Sequence, residues 1–228
     1  MVLQKHYDEL WRNASEGFRQ GLFELDSDID NPADTRAGLT LLIRPPQAVA
    51  EAWQAMRHEL EAAEPGQYYY PVSDLHITVM SIISCYPDFA LSTIDLQQYI
   101  TLIRQTLDEA RAFTIDFSGI TASPSCILLQ GFPANTMLEE IRNGLRQTFK
   151  SSPLVHSIDK RYTLQTAHVT AVRFKSNLTR PERFLNILNK YRTYAFGTGT
   201  IHQVELVYND WYQRNDRVTV LERFTLQA

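Results

Sequence analysis

Hydrophobic positions along the chain follow two spacings, and each change of spacing marks a change of element. Leu3, Tyr7, Leu10, Ala14 and Phe18, with Trp11 alongside, recur at helical intervals and predict an amphipathic helix over residues 3–18. The stretch from Asp26 to Arg36 is acidic and broken by Pro32. Asp26, Asp28 and Asp30 imitate the start of a calcium loop, but Asn31 stands at the glycine position and Ala37 at the final Glu position, so the segment reads as a linker. An apolar strand over Leu39–Arg44 is stopped by Pro45 and Pro46. A helix through Val49, Trp53, Met56 and Leu60 follows.

Tyr68, Tyr69 and Tyr70 lead into Pro71 and a strand over Leu75–Ile82, then a helix through Leu96, Ile100, Ile103 and Leu107. Strands over Phe113–Ile120 and Cys126–Gly131 are joined at Ser123-Pro124, and Leu138, Ile141, Leu145 and Phe149 mark another helix. A strand over Leu164–Phe174, a helix through Phe184, Leu188 and Tyr191, and strands over Ile201–Tyr208 and Val218–Leu226 close the pattern. Strands and helices alternate irregularly, which favours α+β over a regular parallel sheet. Residues 1–37 are expected to form a helix and acidic linker packed on a single body of residues 38–228.

Composition narrows the class. At 228 residues, 44% of them hydrophobic and 21% charged, the chain suits a folded globular protein. No apolar run reaches membrane-spanning length or forms a signal-peptide core, so no membrane partner is expected and the chain reads as cytoplasmic. Cys85 and Cys126 are too few for a disulfide framework. The net charge of −4 argues against a protein that grips long duplex nucleic acid by neutralising many phosphates. The charge is uneven: residues 1–114 carry 8 Lys/Arg against 17 Asp/Glu, and residues 115–228 carry 14 against 9, so the C-terminal half is the better phosphate-facing side.

Two predicted strands share one pattern, Leu75-His76-Ile77-Thr78-Val79 and Ala167-His168-Val169-Thr170-Ala171. Strand side chains alternate between faces, so each His projects with its Thr while the apolar residues pack behind. Imidazole both takes and gives a proton near neutrality, and phosphodiester cleavage needs both operations. Two histidines can divide them, giving a pH optimum near neutrality, while the Thr hydroxyls bind the non-bridging oxygens. One His-x-Thr strand is weak evidence; a second copy, with apolar residues in the same slots, is much stronger.

The duplicated motif, His76-Ile77-Thr78 and His168-Val169-Thr170, resembles the 2H phosphoesterase superfamily, which includes bacterial RNA 2',3'-cyclic phosphodiesterases. The resemblance covers residues 38–228. It implies two pseudo-symmetric lobes, each with an antiparallel sheet and outer helices, flanking a central cleft. It makes His76 and His168 the catalytic pair and Thr78 and Thr170 the phosphate binders. Arg173 matches an Arg found three residues after the second Thr in several members, although strict alternation puts it on the face opposite His168. The N-terminal stretch before Gly38 lies outside the family's minimal pattern.

Tyr68 and Tyr70 are candidate substrate contacts at the cleft mouth, where an aromatic face would stack a base, although packing around Pro71 explains them equally. Lys160 and Arg161 read first as solvated charge, and His6, His58, His156 and His202 as surface or packing residues. The expected substrate is a small nucleotide or short RNA end with a cyclic phosphate: a 2',3'-cyclic RNA end, a cyclic nucleotide, ADP-ribose cyclic phosphate or a 2'-5' linked oligonucleotide. No cofactor is expected and a monomer is sufficient. A non-catalytic nucleotide-binding module is the main alternative. A third reading makes the histidines metal ligands with Asp74, but metal sites are usually closer-spaced and richer in carboxylates.

Overall fold

The computed structural model describes residues 2–228. Its elements are α1 (Val2–Arg19), β1 (Ala37–Ile43), α2 (Gln47–Ala63), β2 (Tyr68–Tyr69), β3 (Ile77–Tyr86), α3 (Leu96–Leu107), β4 (Phe113–Ser123), β5 (Cys126–Pro133), α4 (Met137–Lys150), β6 (Val169–Arg173), α5 (Pro181–Lys190), β7 (Ala195–Ile201), β8 (Gln203–Asp210) and β9 (Thr219–Thr225). One nine-stranded sheet runs β7-β4-β5-β6-β3-β1-β8-β9, with β2 added beside β6. Every pairing between these strands is antiparallel.

The strand order divides about its middle. β7, β4, β5 and β6 form one half and β3, β1, β8 and β9 the other, joined where Ile77 of β3 pairs with Val169 of β6. The two motif strands are therefore the central pair. Helix α2, between β1 and β3 in the chain, packs across onto β7; α4, between β5 and β6, packs across onto β3. Each lobe is clasped by a helix belonging in sequence to the other. The α+β class is as the sequence pattern predicts, and the antiparallel lobes are as the resemblance implies.

The predicted helices form where their apolar spacing placed them. Trp53, Met56 and Leu60 of α2 and Leu145 and Phe149 of α4 are fully buried. Asp95 caps α3 by accepting from the Gln97 amide at 3.2 Å. Strand readings change in places, and the one read as Leu75–Ile82 is β3, which starts at Ile77 and runs on to Tyr86. The Leu164–Phe174 strand shrinks to β6, leaving residues 164–168 irregular, and the strand read as Ile201–Tyr208 is β8, preceded by a separate β7. β7 reads Ala-Phe-Gly-Thr-Gly-Thr-Ile, too poor in bulky residues to signal a strand. Its Gly199 is needed for helix docking, since a Cβ there would sit 2.2 Å from Pro46 at the start of α2. No helix among the described residues is long and apolar enough to cross a membrane.

Candidate active site

His76 and His168 each sit one residue before their strand, and the register fixes their relation. Ile77 faces Val169 across the antiparallel pair. One residue outward on either side, His76 lies opposite Thr170 and Thr78 opposite His168. The four side chains share one face and line one cleft, half-buried, while Ile77, Val79, Val169 and Ala171 are buried behind them. The histidines occupy one diagonal of this four-residue patch and the threonines the other. Diagonal neighbours in an antiparallel pair are roughly 7–8 Å apart, a spacing that a phosphate between two imidazoles fills.

The ring of His76 is oriented by its own chain. Its Nδ1 lies 2.8 Å from the Asp74 carbonyl, at the end of a 3₁₀ turn over Val72–Asp74. A carbonyl only accepts, so Nδ1 carries the proton and Nε2 is left bare. The Asp74 carboxylate is turned elsewhere: it accepts from Ser73 Oγ at 2.7 Å and from the Asn215 amide at 3.2 Å. His168 Nδ1 instead lies 2.6 Å from Thr166 Oγ1. Among the described residues no three His, Cys, Asp or Glu side chains are grouped as metal ligands.

Burial pushes both imidazoles down to about 4. Arg44 and Arg173 add to the effect at His76, where the Asp74 carbonyl opposes it, and Arg142, His76, Arg173 and His6 add to it at His168. At neutral pH both rings are neutral. An anionic phosphate placed between them reverses part of this penalty, so the charge of the ligand itself favours protonating one of them.

Arg142 of α4 ties β3 to the irregular segment that leads into β6. It is 3% exposed, and donates from Nε to the Val79 carbonyl (3.0 Å) and from Nη2 to the carbonyls of Thr78 (2.8 Å) and Thr166 (2.9 Å). Burial lowers its pKa to about 10, which still leaves it charged at neutral pH.

Arg173 lines the same cleft, contrary to strict alternation. Along β5, Ile127 and Leu128 are consecutive, but their partners on β6 are Val172 and Thr170. Ala171 is thus an extra residue, a bulge that shifts the phase of the strand by one and turns Arg173 to the side of His168. The guanidinium donates from Nε to Tyr70 Oη at 3.0 Å and lies 3.7 Å from the Asp26 carboxylate.

The tyrosines take other places. Tyr70 is 1% exposed, so it offers no face to a base and acts as the acceptor that holds Arg173. Tyr68 packs edge-on against Tyr70, with centroids 5.1 Å apart. Trp211 and Tyr162 are the aromatic side chains lining the cleft, and Trp211 carries Arg161 at 4.5 Å and Arg36 at 5.1 Å from its ring centre. The sequence reading missed Trp211 and treated Arg161 as solvated charge. No spacing links residue 211 to the motifs; only the return of β8 beside β1 brings it to the cleft.

Fold and site together define a bilobal α+β protein that presents one His-x-Thr motif from each half to a shared cleft. A family model for the 2'-5' RNA ligase superfamily matches residues 45–211, and the chain belongs to that family, within the 2H phosphoesterases. Solved structures agree in fold. TT0787 of Thermus thermophilus is 17% identical with a TM-score of 0.59, covering 84% of this chain and 98% of its own. Escherichia coli LigT is 16% identical and covers 85% of this chain and 99% of its own; it superposes with a TM-score of 0.54 in its complex with 3'-AMP and 0.53 in its complex with ATP. A conserved protein of unknown function from Agrobacterium tumefaciens, ATU0111, is 18% identical with a TM-score of 0.51, covering 87% and 94%. No curated protein sequence matches the chain.

Proposed function

We propose that the protein is a metal-independent phosphodiesterase that opens a cyclic or 2'-5' phosphodiester of a small nucleotide or short RNA end, with His76 and His168 as acid and base. The observation that carries this reading is the diagonal placement of the two imidazoles. In-line displacement at phosphorus needs the attacking water and the departing oxygen on opposite sides, and the register puts one histidine on each side of the patch centre. For a 2',3'-cyclic phosphate, one neutral imidazole takes a proton as the water oxygen bonds to phosphorus. The other, protonated, gives its proton to the ribose oxygen as the P–O bond breaks, leaving a phosphomonoester and a free hydroxyl.

Thr78 and Thr170, on the other diagonal, donate to the non-bridging oxygens, and the nearby charge of Arg173 offsets the charge that builds there. Trp211 and Arg161 favour a substrate that carries a base, since an indole beside a guanidinium is a stacking platform. The complexes of LigT with 3'-AMP and with ATP support a nucleotide as the ligand class. All of these residues come from one chain, which is sufficient for a monomer.

The test is turnover of a panel of 2',3'-cyclic nucleotides, 2'-5' linked dinucleotides and ADP-ribose cyclic phosphate, in EDTA. Hydrolysis of at least one, lost in both His76→Ala and His168→Ala, is expected. Tight binding without product would leave a binding module, and activity abolished by EDTA and restored by a divalent ion would overturn the mechanism.

A further inference from the structure

The turn after β8 brings alternate residues to the cleft. Trp211 and Gln213 both line it, while Tyr212 between them is fully buried and turned away, its hydroxyl donating to the Asp26 carboxylate at 2.8 Å. Gln213 is 5% exposed, and its Oε1 has no hydrogen-bond partner. Asn209, near the end of β8, also lines the cleft, is 2% exposed and leaves its Oδ1 unpartnered. Among the described residues three buried side-chain nitrogen or oxygen atoms lack a partner, and these are two of them. Both are acceptors. The assignment is fixed at Asn209, whose Nδ2 donates to the Asp210 carbonyl at 2.8 Å, a bond that an oxygen in its place could not make.

Gln213 is also held in a backbone conformation that suits other residues better. Its φ is 60°, in the left-handed region that glycine, asparagine and aspartate favour. The neighbouring hydrogen bonds impose it. The Gln213 amide donates to the Asp210 carbonyl at 3.3 Å, the Arg214 amide to the Asp210 carboxylate at 2.9 Å, and the Asn215 amide to the Asp74 carboxylate at 3.2 Å. Asp74 is the residue whose carbonyl holds His76, so the turn is fastened to the support of the His-x-Thr patch. A strained backbone and an orphaned acceptor at one residue of a cleft mark a side chain kept for what it meets there.

We propose that Gln213 is a specificity-determining residue whose Oε1 accepts a hydrogen bond from the exocyclic amino group of a nucleobase lying along Trp211. A fully ionised phosphate has no proton to donate, so the part of the ligand that meets this oxygen is the nucleoside. The indole two residues earlier supplies the stacking face, and the donors of a stacked base lie along its edge. Adenine and cytosine present an amino group there, where uracil presents a carbonyl oxygen that an acceptor repels. A site built to satisfy one hydrogen bond rejects the analogue that lacks it, because its own buried group is then left unpaired. The assignment rests on the proposed nucleotide substrate for its ligand class, and narrows that class to nucleotides with an amino-bearing base.

Binding tests this without turnover. Calorimetric titration of the wild-type chain should show 3'-CMP binding about tenfold tighter than 3'-UMP, the worth of one buried hydrogen bond. The same margin should separate 3'-AMP from purine riboside 3'-monophosphate, which lacks only the amino group. In Gln213→Met both preferences should disappear, while Gln213→Glu, which when ionised can only accept, should keep them. Gln213→Gly should lose them too and, because it relieves the left-handed backbone, should melt no lower than the wild type. A merely structural amide would do the opposite, lowering the melting temperature in the Met and Gly variants and leaving the preferences untouched. Both preferences in a protein that turns over nothing would support Gln213 as the base reader and fail the phosphodiesterase reading alone. Equal affinities within both pairs in the wild type, preferences unchanged in Gln213→Met, or no binding of any of the four nucleotides would overturn the proposal.

Discussion

The two halves of the cleft carry the same three-residue motif on unlike supports. His76 is held by a carbonyl two residues away in its own chain, and its strand continues through Tyr86. His168 follows an irregular approach from residue 164, leans on a hydroxyl and starts a strand only five residues long. What compensates the second half is tertiary: Arg142 holds the Thr166 carbonyl, Arg146 holds the Leu164 carbonyl at 3.2 Å, and α1 and β5 lie beneath. A motif can be duplicated while its scaffolding is not. Equal proposed roles therefore go with unequal expected sensitivity to distant substitutions.

The largest effects should not distinguish the halves at all. His76→Ala and His168→Ala each remove one proton-transfer group, worth roughly a hundred- to ten-thousand-fold in rate, and each should cost about the same in kcat on a 2',3'-cyclic nucleotide. The double variant should be little worse than either single, because a paired acid and base act as one unit. Circular dichroism should show all three folded. A large activity in one single variant would mean that the two halves do not share the chemistry.

Arg142→Met should come next, and it sharpens the comparison because Arg142 is a brace shared by β3 and the segment before β6. Its loss strands three carbonyls in the interior and should cost on the order of 3 kcal/mol of stability by urea denaturation. In the folded fraction that survives, imidazole nitrogen-15 signals should change more at His168 than at His76, since only the His168 half needs help to hold the segment before its strand.

Thr78→Val and Thr170→Val should be milder and equal. Each removes one hydrogen bond to a charged oxygen, roughly 1.5–3 kcal/mol, read as a loss in kcat/KM. Strong inequality would mean that the phosphate sits off the centre of the patch.

How far the sequence already showed this differs by region. The His-x-Thr pairs, the apolar faces behind them and the predicted helices were readable because they depend on spacing within one element. Arg173 was not, because the bulge at Ala171 is set by pairing with Ile127 and Leu128, which are distant in the chain. Tyr7 read as one more apolar position on an amphipathic helix, since nothing local shows that its hydroxyl ends beneath β5. Tyr70 read as a stacking candidate for its place just upstream of the first motif, yet the addition of β2 to β6 buries it. The neutral pH optimum assumed unperturbed imidazoles, and depth in the cleft, the cause of the shift, is invisible to a motif.

The smallest effects are those of pH, and they test whether the two rings share one electrostatic environment. Both histidines fold with pKa values near 4, below the unfolded value of 6.5. A depressed pKa means that the stability associated with the neutral ring is fully present above pH 6.5 and is lost as pH falls toward 4, where the folded chain must take up charge in the cleft. Melting temperature should therefore decline between pH 6.5 and 4, and His76→Asn or His168→Asn should each flatten that decline by a similar amount. The kinetic counterpart has the same sign. Turnover needs one proton on the pair, and in the free protein that state peaks near pH 4, so kcat/KM should fall as pH rises through neutrality. The bound phosphate raises the affinity of the acid for its proton, so kcat should hold to a higher pH than kcat/KM does. Coincident profiles for the two parameters would mean that the substrate's charge does not arm the acid. A melting curve flattened by one asparagine variant alone would mean that the imidazoles differ in burial as much as they differ in support.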